Sequence, residues 1–184
     1  MTEKLKNQAE WKPTKIKRRR GRFRVNPFKI GPGSYYITLE AFRVLNTCRP
    51  YLKGRLIDLG CGNTPYFEWY RDRVDTITCV DWPGSLHKSK HISVSADLNK
   101  PLPLADSSAD CILSTSVLEH IREPMLLFSE MSRILKTGGH LILSVPFLYQ
   151  IHEEPDDFFR YTRFGLEKLS KDAGFEIVFL SHYG

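Results

Sequence analysis

The sequence is poor in the features that mark secreted, membrane-spanning or zinc-scaffolded chains. It has four cysteines, Cys48, Cys61, Cys79 and Cys111, with no C-x-x-C pair and no paired histidines beside them, which excludes a zinc finger or ribbon. No apolar run approaches the roughly 18 residues that span a bilayer. The opening MTEKLKNQAEWK lacks an apolar stretch, so a secretory signal is not expected. Three of the cysteines lie in apolar, strand-like contexts, where a thiol acts as a small hydrophobe. Free thiols in a reducing, cytoplasmic compartment follow. His87 and His91 stand near Cys79, but no third ligand has a suitable spacing, so no metal site is expected. Internal repeats are also absent.

Charge is unevenly spread. The 184 residues carry a net +6, yet residues 1–24 hold ten Lys/Arg and two Glu, while the rest holds seventeen Lys/Arg and nineteen Asp/Glu. Basicity is therefore a property of an N-terminal arm, residues 1–30, ahead of a slightly acidic domain, residues 31–184. The run within residues 12–24, including KIKRRRGRFR, can touch phosphates or an anionic surface. The arm shows no apolar face, so removing residues 1–24 is expected to leave the fold intact.

Along the domain, GPGS at 31–34 reads as a turn. Ile37, Ala41, Leu45, Cys48 and Leu52 then share a helical face, with Pro50 a reason for an early stop. RLIDLG is a short strand. Thr64-Pro65 has the form of a helix cap followed by a first-turn proline, ahead of the stripe Phe67, Tyr70 and Val74. TITCVD, HISVSADL and DCILSTS are three more strands. Leu127, Met131, Ile134 and Leu135 form a helical face that Gly138-Gly139 would end. HLILSVP reads as a fifth strand, Thr162 caps a last helix bearing Leu166, Leu169 and Ala173 that Gly174 ends, and FEIVFL reads as a sixth strand. Alternating strands and helices predict an α/β, Rossmann-like, mainly parallel sheet with helices on both faces. Its ligand should lie at the carboxyl ends of the strands.

The most informative segment is LIDLGCGNTPY, residues 56–66. A strand ends in Asp58, Gly60 and Gly62, where glycines permit a tight turn and close approach of a ligand to the main chain. Pro65 stands where a dinucleotide fingerprint has its third glycine, which argues against a pyrophosphate and a nicotinamide dehydrogenase. Asp58 places a carboxylate in the loop, which suits a ligand bearing an amino group. Nineteen residues after Gly62 the next strand ends in Asp81, where a carboxylate can accept both hydroxyls of a ribose.

With SADLNKPLP at 95–103, ADCILSTSVLEHI and LKTGGHLILSVPF, the sequence resembles class I S-adenosylmethionine-dependent methyltransferases of the type 11 kind over about residues 35–180. The resemblance implies S-adenosylmethionine as methyl donor. Asp58 and the backbone of Gly60 would hold its methionine amino group, and Asp81 its ribose. Trp82 would flank the adenine, Asp97 and Leu98 would contact the adenine edge, and Ser114 and Thr115 would lie beside the methionine part. The family normally has seven strands, so a chain ending after FEIVFL implies that C-terminal strands are missing in a truncated form, that FEIVFL moves in beside the fifth strand, or that a second chain covers the fifth strand's edge, to be judged from how FEIVFL pairs.

The acceptor side rests on PFLYQIHEEPDDFFRYT, residues 146–162, a polar and aromatic loop after the fifth strand. His152 is the candidate general base, and Asp157, Arg160 and Tyr161 are candidate substrate contacts. His120 in VLEHI is expected to pack or to start a helix. H-x-x-P-x-D-F-F-R-Y-T resembles methyltransferases of glycan and natural-product pathways, which implies a small-molecule or glycan-type acceptor, methylated on oxygen. Two alternatives stay open: an RNA methyltransferase that uses the basic arm, and a non-catalytic relative that binds cofactor or a partner.

Overall fold

The short apolar runs become the strands of a parallel sheet in a computed structural model that describes residues 16–19, 22–26, 28, 32–85, 87 and 89–182. An antiparallel hairpin comes first, β1 (Ile16–Arg19) and β2 (Arg22–Val25). Helix α1 (Pro32–Thr47), β3 (Arg55–Leu59), the single-turn α2 (Phe67–Tyr70) and β4 (Thr76–Asp81) follow. Then come β5 (Ile92–Ser95), β6 (Ala109–Thr115), α3 (Pro124–Ile134), β7 (Leu135–Ser144) and α4 (Arg163–Asp172). The five strands β3 to β7 are ordered β5-β4-β3-β6-β7, and every neighbouring pair is parallel. The chain starts in the centre at β3, builds outward to β5, and crosses back to β6. That reversal leaves a crevice beyond the carboxyl ends of β3 and β6.

Both faces of the sheet are covered, as its apolar strands require. Side chains alternate along a strand, so Ile57 and Ile112 join one core cluster and Leu56 and Leu113 the other. Leu127, Phe128, Met131 and Ile134 of α3 complete the first cluster; Phe42 and Leu45 of α1 and Trp69 and Tyr70 of α2 complete the second. Among the described residues, no helix is long and apolar enough to cross a membrane.

Several local expectations need correction. GPGS is not a free turn, since α1 starts at Pro32. The buried stripe of α1 is Thr38, Phe42 and Leu45, whereas Ile37 is exposed. The helix ends at Thr47, before Pro50, which sits in a single 3-10 turn. Thr64 caps nothing: it is buried with φ +50° and shares a 2.9 Å hydrogen bond with the Ser89 hydroxyl, and the helix begins at Phe67. Gly138-Gly139 do not end α3, which stops at Ile134; they lie inside β7, where the pairing with β6 shifts register between Ala109 and Cys111. Leu135 is accordingly the first residue of a strand. Thr162 does cap α4, its hydroxyl accepting from the Gly165 amide at 3.2 Å, and Gly174 follows the helix with φ +81°.

Two larger corrections concern the ends of the fold. The basic arm is not without an apolar face: Ile16 and Val25 of the hairpin are buried in the second core cluster beside Phe42, Leu52 and Trp69. Alternation within eight residues of a charged run was too short a signal to stand out. Residues 1–15 of the expected arm lie outside the described residues. At the other end FEIVFL forms no strand, and Ile177, Val178, Phe179 and Leu180 are exposed. Among the described residues β7 pairs with β6 alone. FEIVFL therefore neither pairs with β7 nor stands apart from it as a strand, because an apolar run becomes a strand only when a ladder receives it.

Candidate functional site

At the crevice predicted by the strand order lies a cleft of about 560 Å³, within the roughly 300–1,000 Å³ of small-molecule sites. The turn after β3 forms one wall. Gly60 has φ +68°, and a Cβ there would meet Val117 Cγ2 at 2.4 Å, so only glycine fits between the two turns. The amides of Gly60 and Cys61 both donate to the Val80 carbonyl, at 2.9 and 3.1 Å, which ties this loop to the end of β4. Gly62, Trp82, Asp97, Leu98 and Thr115 also line the cleft.

Asp81 ends β4 on the cleft wall. It is 7% exposed, and among the described residues its Oδ2 has no hydrogen-bond partner. Burial raises its carboxyl, against hydrogen bonds from Ser85 and the Trp82 backbone. An unpaired buried carboxylate oxygen is costly, and a donor from a ligand in the cleft would offset that cost. Trp82 is half exposed. Asp97 is fixed by the Asn99 amide at 3.0 Å and faces Lys100 at 3.3 Å.

Two of the anticipated residues reach this end of the sheet without lining the cleft. Asp58 is buried in β3 and accepts the Tyr70 hydroxyl at 2.7 Å; burial pushes its carboxyl up to about 7 despite that bond. Ser114 of β6 is fully buried, and its hydroxyl has no hydrogen-bond partner among the described residues.

The loop after β7 closes the far side, docked on the 3-10 turn Leu118–His120. The amides of Phe158 and Phe159 donate to the Glu119 carbonyl at 2.8 and 3.2 Å, and the Tyr161 hydroxyl donates to the Leu118 carbonyl at 3.2 Å. His120 lines the cleft, its Nδ1 2.6 Å from the Asp156 carbonyl. Glu153 lines it too, with φ +55° and Oε1 3.1 Å from His87 Nε2.

His152 stands behind this wall. Its Nδ1 is 3.2 Å from Asp157 Oδ2, its amide donates to the same oxygen at 2.9 Å, and its ring meets His120 edge-on at 4.8 Å. Burial, then His120, holds its imidazole below the ordinary value. Asp157 and Arg160 form a two-pronged ion pair at 2.6 and 2.7 Å, and Arg160 also donates to the Gln150 carbonyl at 3.2 Å. Asp157, Arg160 and Tyr161 thus brace the loop and do not line the cleft. His91 is stacked on Phe67 at 3.7 Å, away from any ligand cluster.

Sequence reading missed Glu119. It is 0% exposed, both carboxylate oxygens lack a hydrogen-bond partner among the described residues, and burial pushes its carboxyl up to about 7. A lone acid inside the otherwise apolar VLEHI was the available signal. His87, set aside with His91 as a metal ligand, pairs with Glu153 in the fold.

Residues 57–143 match the model of a family described as a methyltransferase domain, of type 11. The match runs from β3 into β7 and contains the turns that follow β3, β4 and β6. The thiol S-methyltransferase TMT1B of Rattus norvegicus is 32% identical over 98 residues, covering 47% of this chain and 40% of the rat protein. The chain spans less than half the length of the curated relatives it matches. Among solved structures, a methyltransferase in complex with the Haloferax volcanii Trm112 activator aligns over 77% of this chain and 70% of that one, with TM-score 0.62 and 21% identity. An S-adenosylmethionine-dependent methyltransferase from Mesorhizobium loti aligns over 73% and 80%, with TM-score 0.60 and 19% identity. At these identities the likeness to the two structures is one of fold.

Proposed function

Residues 57–143 being a methyltransferase domain of the type 11 family, we propose that the cleft takes S-adenosylmethionine and that the chain methylates an oxygen of a small-molecule or glycan-type acceptor. The observation that carries this reading is the buried Asp81 Oδ2 on the cleft wall at the end of β4, without a hydrogen-bond partner among the described residues. It fits a ribose, whose two hydroxyls can both donate to one carboxylate. Gly60 and Gly62 leave main chain bare beside it, for the methionine part. Trp82, Asp97 and Leu98 would hold the adenine, and Thr115 would face the methionine chain. Asp58 and Ser114, one layer below the wall, would act on the methionine end through the Gly60 turn and the end of β6. Free thiols throughout fit a reducing, cytoplasmic setting.

When bound, S-adenosylmethionine supplies a methyl carbon: the acceptor oxygen bonds to it as the sulfur–carbon bond breaks, and the electron pair returns to sulfur. The protein then has to align the acceptor and remove one proton from its hydroxyl. Glu153 is the favoured proton acceptor, because it lies on the wall and is backed by His87 at 3.1 Å. His152, the base suggested by the sequence, would act only through His120 or Glu119.

Titration calorimetry of S-adenosylmethionine into wild type and Asp81→Ala tests the cofactor half. The variant should lose two charge-assisted hydrogen bonds, each worth about 1.5–3 kcal/mol. Unchanged affinity would take Asp81 out of the site. A methyl-transfer screen over glycans, small hydroxy acids, thiols and RNA tests the acceptor half. Thiols belong in it because the rat relative is named for them, and a thiol needs less help from a base. RNA belongs in it because Arg22 and Arg24 are exposed on the hairpin.

A further inference from the structure

We propose that Glu119, His120 and His152 form a binding site for one divalent transition-metal ion at the acceptor end of the cleft. Three observations carry it. First, one ligand atom from each residue lies within 4.8 Å of the others. Glu119 Oε1 is 3.9 Å from His120 Nε2 and 3.9 Å from His152 Nε2. Ligands at about 2.1 Å from a shared tetrahedral ion sit about 3.4 Å apart, so each side chain has to move inward by less than about an ångström.

Second, Glu119 is fully buried, and among the described residues neither carboxylate oxygen has a hydrogen-bond partner. Facing Oε1 are the two imidazole Nε2 atoms at 3.9 Å, beyond hydrogen-bond reach. Buried charges are as a rule paired or bound to a metal, and an ion between these three side chains would pair this one.

Third, each imidazole is anchored in the manner of a metal ligand. His120 Nδ1 is 2.6 Å from the Asp156 carbonyl, and His152 Nδ1 lies 3.2 Å from both the Gln150 carbonyl and Asp157 Oδ2. With Nδ1–H donating outward, each Nε2 keeps its lone pair and presents it to Glu119. A ligating histidine almost always gives its other N–H to a carbonyl or carboxylate. Arg160 in turn holds Asp157, so the outer shell is itself fixed.

Two imidazoles and one carboxylate suit zinc, manganese, cobalt or ferrous iron better than magnesium or calcium, which prefer all-oxygen sets. His120 faces the cleft, and Glu153 Oε2 lies 4.0 Å from its Nε2. Remaining coordination positions therefore open toward the acceptor, where an ion would hold a hydroxyl oxygen and make its proton easier to remove. That role rests on the methyl-transfer reading; the ion site itself does not.

The full chain, stripped with chelator, is titrated with Co²⁺ and then Zn²⁺. One ion per chain with visible ligand-field bands is the expected result. Glu119→Gln and His152→Asn should weaken Co²⁺ by more than about 100-fold, and Asp157→Asn by about 10–100-fold, the usual cost of losing an outer-shell partner. Calorimetry with S-adenosylmethionine on the same variants should be unchanged. If either variant melts early, paramagnetic broadening in the wild type decides instead: Co²⁺ should broaden the His120 and His152 ring resonances first. Failure of wild type to bind either metal stoichiometrically, undiminished binding in Glu119→Gln/His152→Asn, or broadening centred on His91 would overturn the site. Loss of cofactor binding by the wild type would sink the methyl-transfer reading and leave the metal site standing.

Discussion

The Tyr70 hydroxyl, at the end of a one-turn helix, donates a 2.7 Å hydrogen bond to Asp58 Oδ2, two residues before the glycine turn of the cleft. Burial nevertheless raises the Asp58 carboxyl to about 7. Between the ordinary carboxylate range and that value the folded chain holds a proton that the unfolded chain has released. Stability from this group is therefore complete below about pH 4, falls as pH rises to about 7, and is flat above. At about 1.4 kcal/mol per pH unit, the loss is at most about 4 kcal/mol. His152, held low by burial, acts in the opposite direction, so the difference between wild type and Asp58→Asn is the informative quantity. Thermal melts of the unliganded proteins should show Asp58→Asn more stable at pH 8 and nearly equal at pH 4. A variant less stable at both would contradict the assignment.

Gly60 and Gly62 both have positive φ, but their surroundings differ. A Cβ at Gly60 would lie 2.4 Å from Val117, and one at Gly62 would meet His87 at an ordinary 3.5 Å. Gly62→Ala should cost roughly the left-handed penalty, about 1–2 kcal/mol. Gly60→Ala carries that penalty and a collision between the two turns that build the cleft. It should weaken S-adenosylmethionine by more than tenfold where Gly62→Ala does not, roughly a 1.4 kcal/mol difference or more. Equal effects in calorimetry would show that the Gly60 turn does not shape the site.

The parallel sheet was legible because its strands are short, apolar and punctuated by Asp-x-Gly and Val-Asp, a pattern whose physics is local. That these residues would share one cleft was legible for the same reason: Gly60, Gly62, Asp81, Asp97 and Thr115 each sit at or just after a strand end, so topology alone gathers them. The far wall of the cleft, built by the loop after β7, was not. Glu119, His120, His152 and Glu153 meet because a loop folds back on a 3-10 turn through backbone bonds such as Phe158 N–H to the Glu119 carbonyl, which no spacing in the sequence encodes. FEIVFL misled because its pattern is that of a strand while its ladder partner is a tertiary matter. Ile16 and Val25 were hidden by the charges around them.

Ile16 is fully buried, and this changes how the basic segment should be tested. Deleting residues 1–24 would strip a core side chain from the cluster that holds Trp69 and Leu56. Ile16→Ala should lower stability by about 2–5 kcal/mol, read by urea titration. Arg22→Ala/Arg24→Ala, at exposed positions of β2, should leave stability within about 0.5 kcal/mol. If the hairpin contacts phosphates, retention on heparin or RNA should fall in that double variant and in raised salt. Retention identical to wild type at low salt would assign the polyanion contact elsewhere.

Arg160 braces the loop after β7 rather than lining the cleft. Its guanidinium holds Asp157, 2% exposed, at 2.6 and 2.7 Å and reaches the Gln150 carbonyl at 3.2 Å. The ion pair keeps the Asp157 carboxyl well below the usual carboxylate range, so its stabilisation is present above about pH 4 and is lost as pH falls further. Arg160→Ala leaves a buried carboxylate without its partner, which is more disruptive than removing both charges together. The loop, not the sheet, should respond: hydrogen exchange at residues 149–160 should rise while that of β3 and β6 stays as in wild type. Acceptor KM should increase and S-adenosylmethionine affinity should hold. Arg160→Met/Asp157→Asn should recover part of the loop protection, because no uncompensated charge remains. A drop in cofactor affinity in Arg160→Ala, with the loop still protected, would instead mean that Arg160 reaches the methyl donor directly.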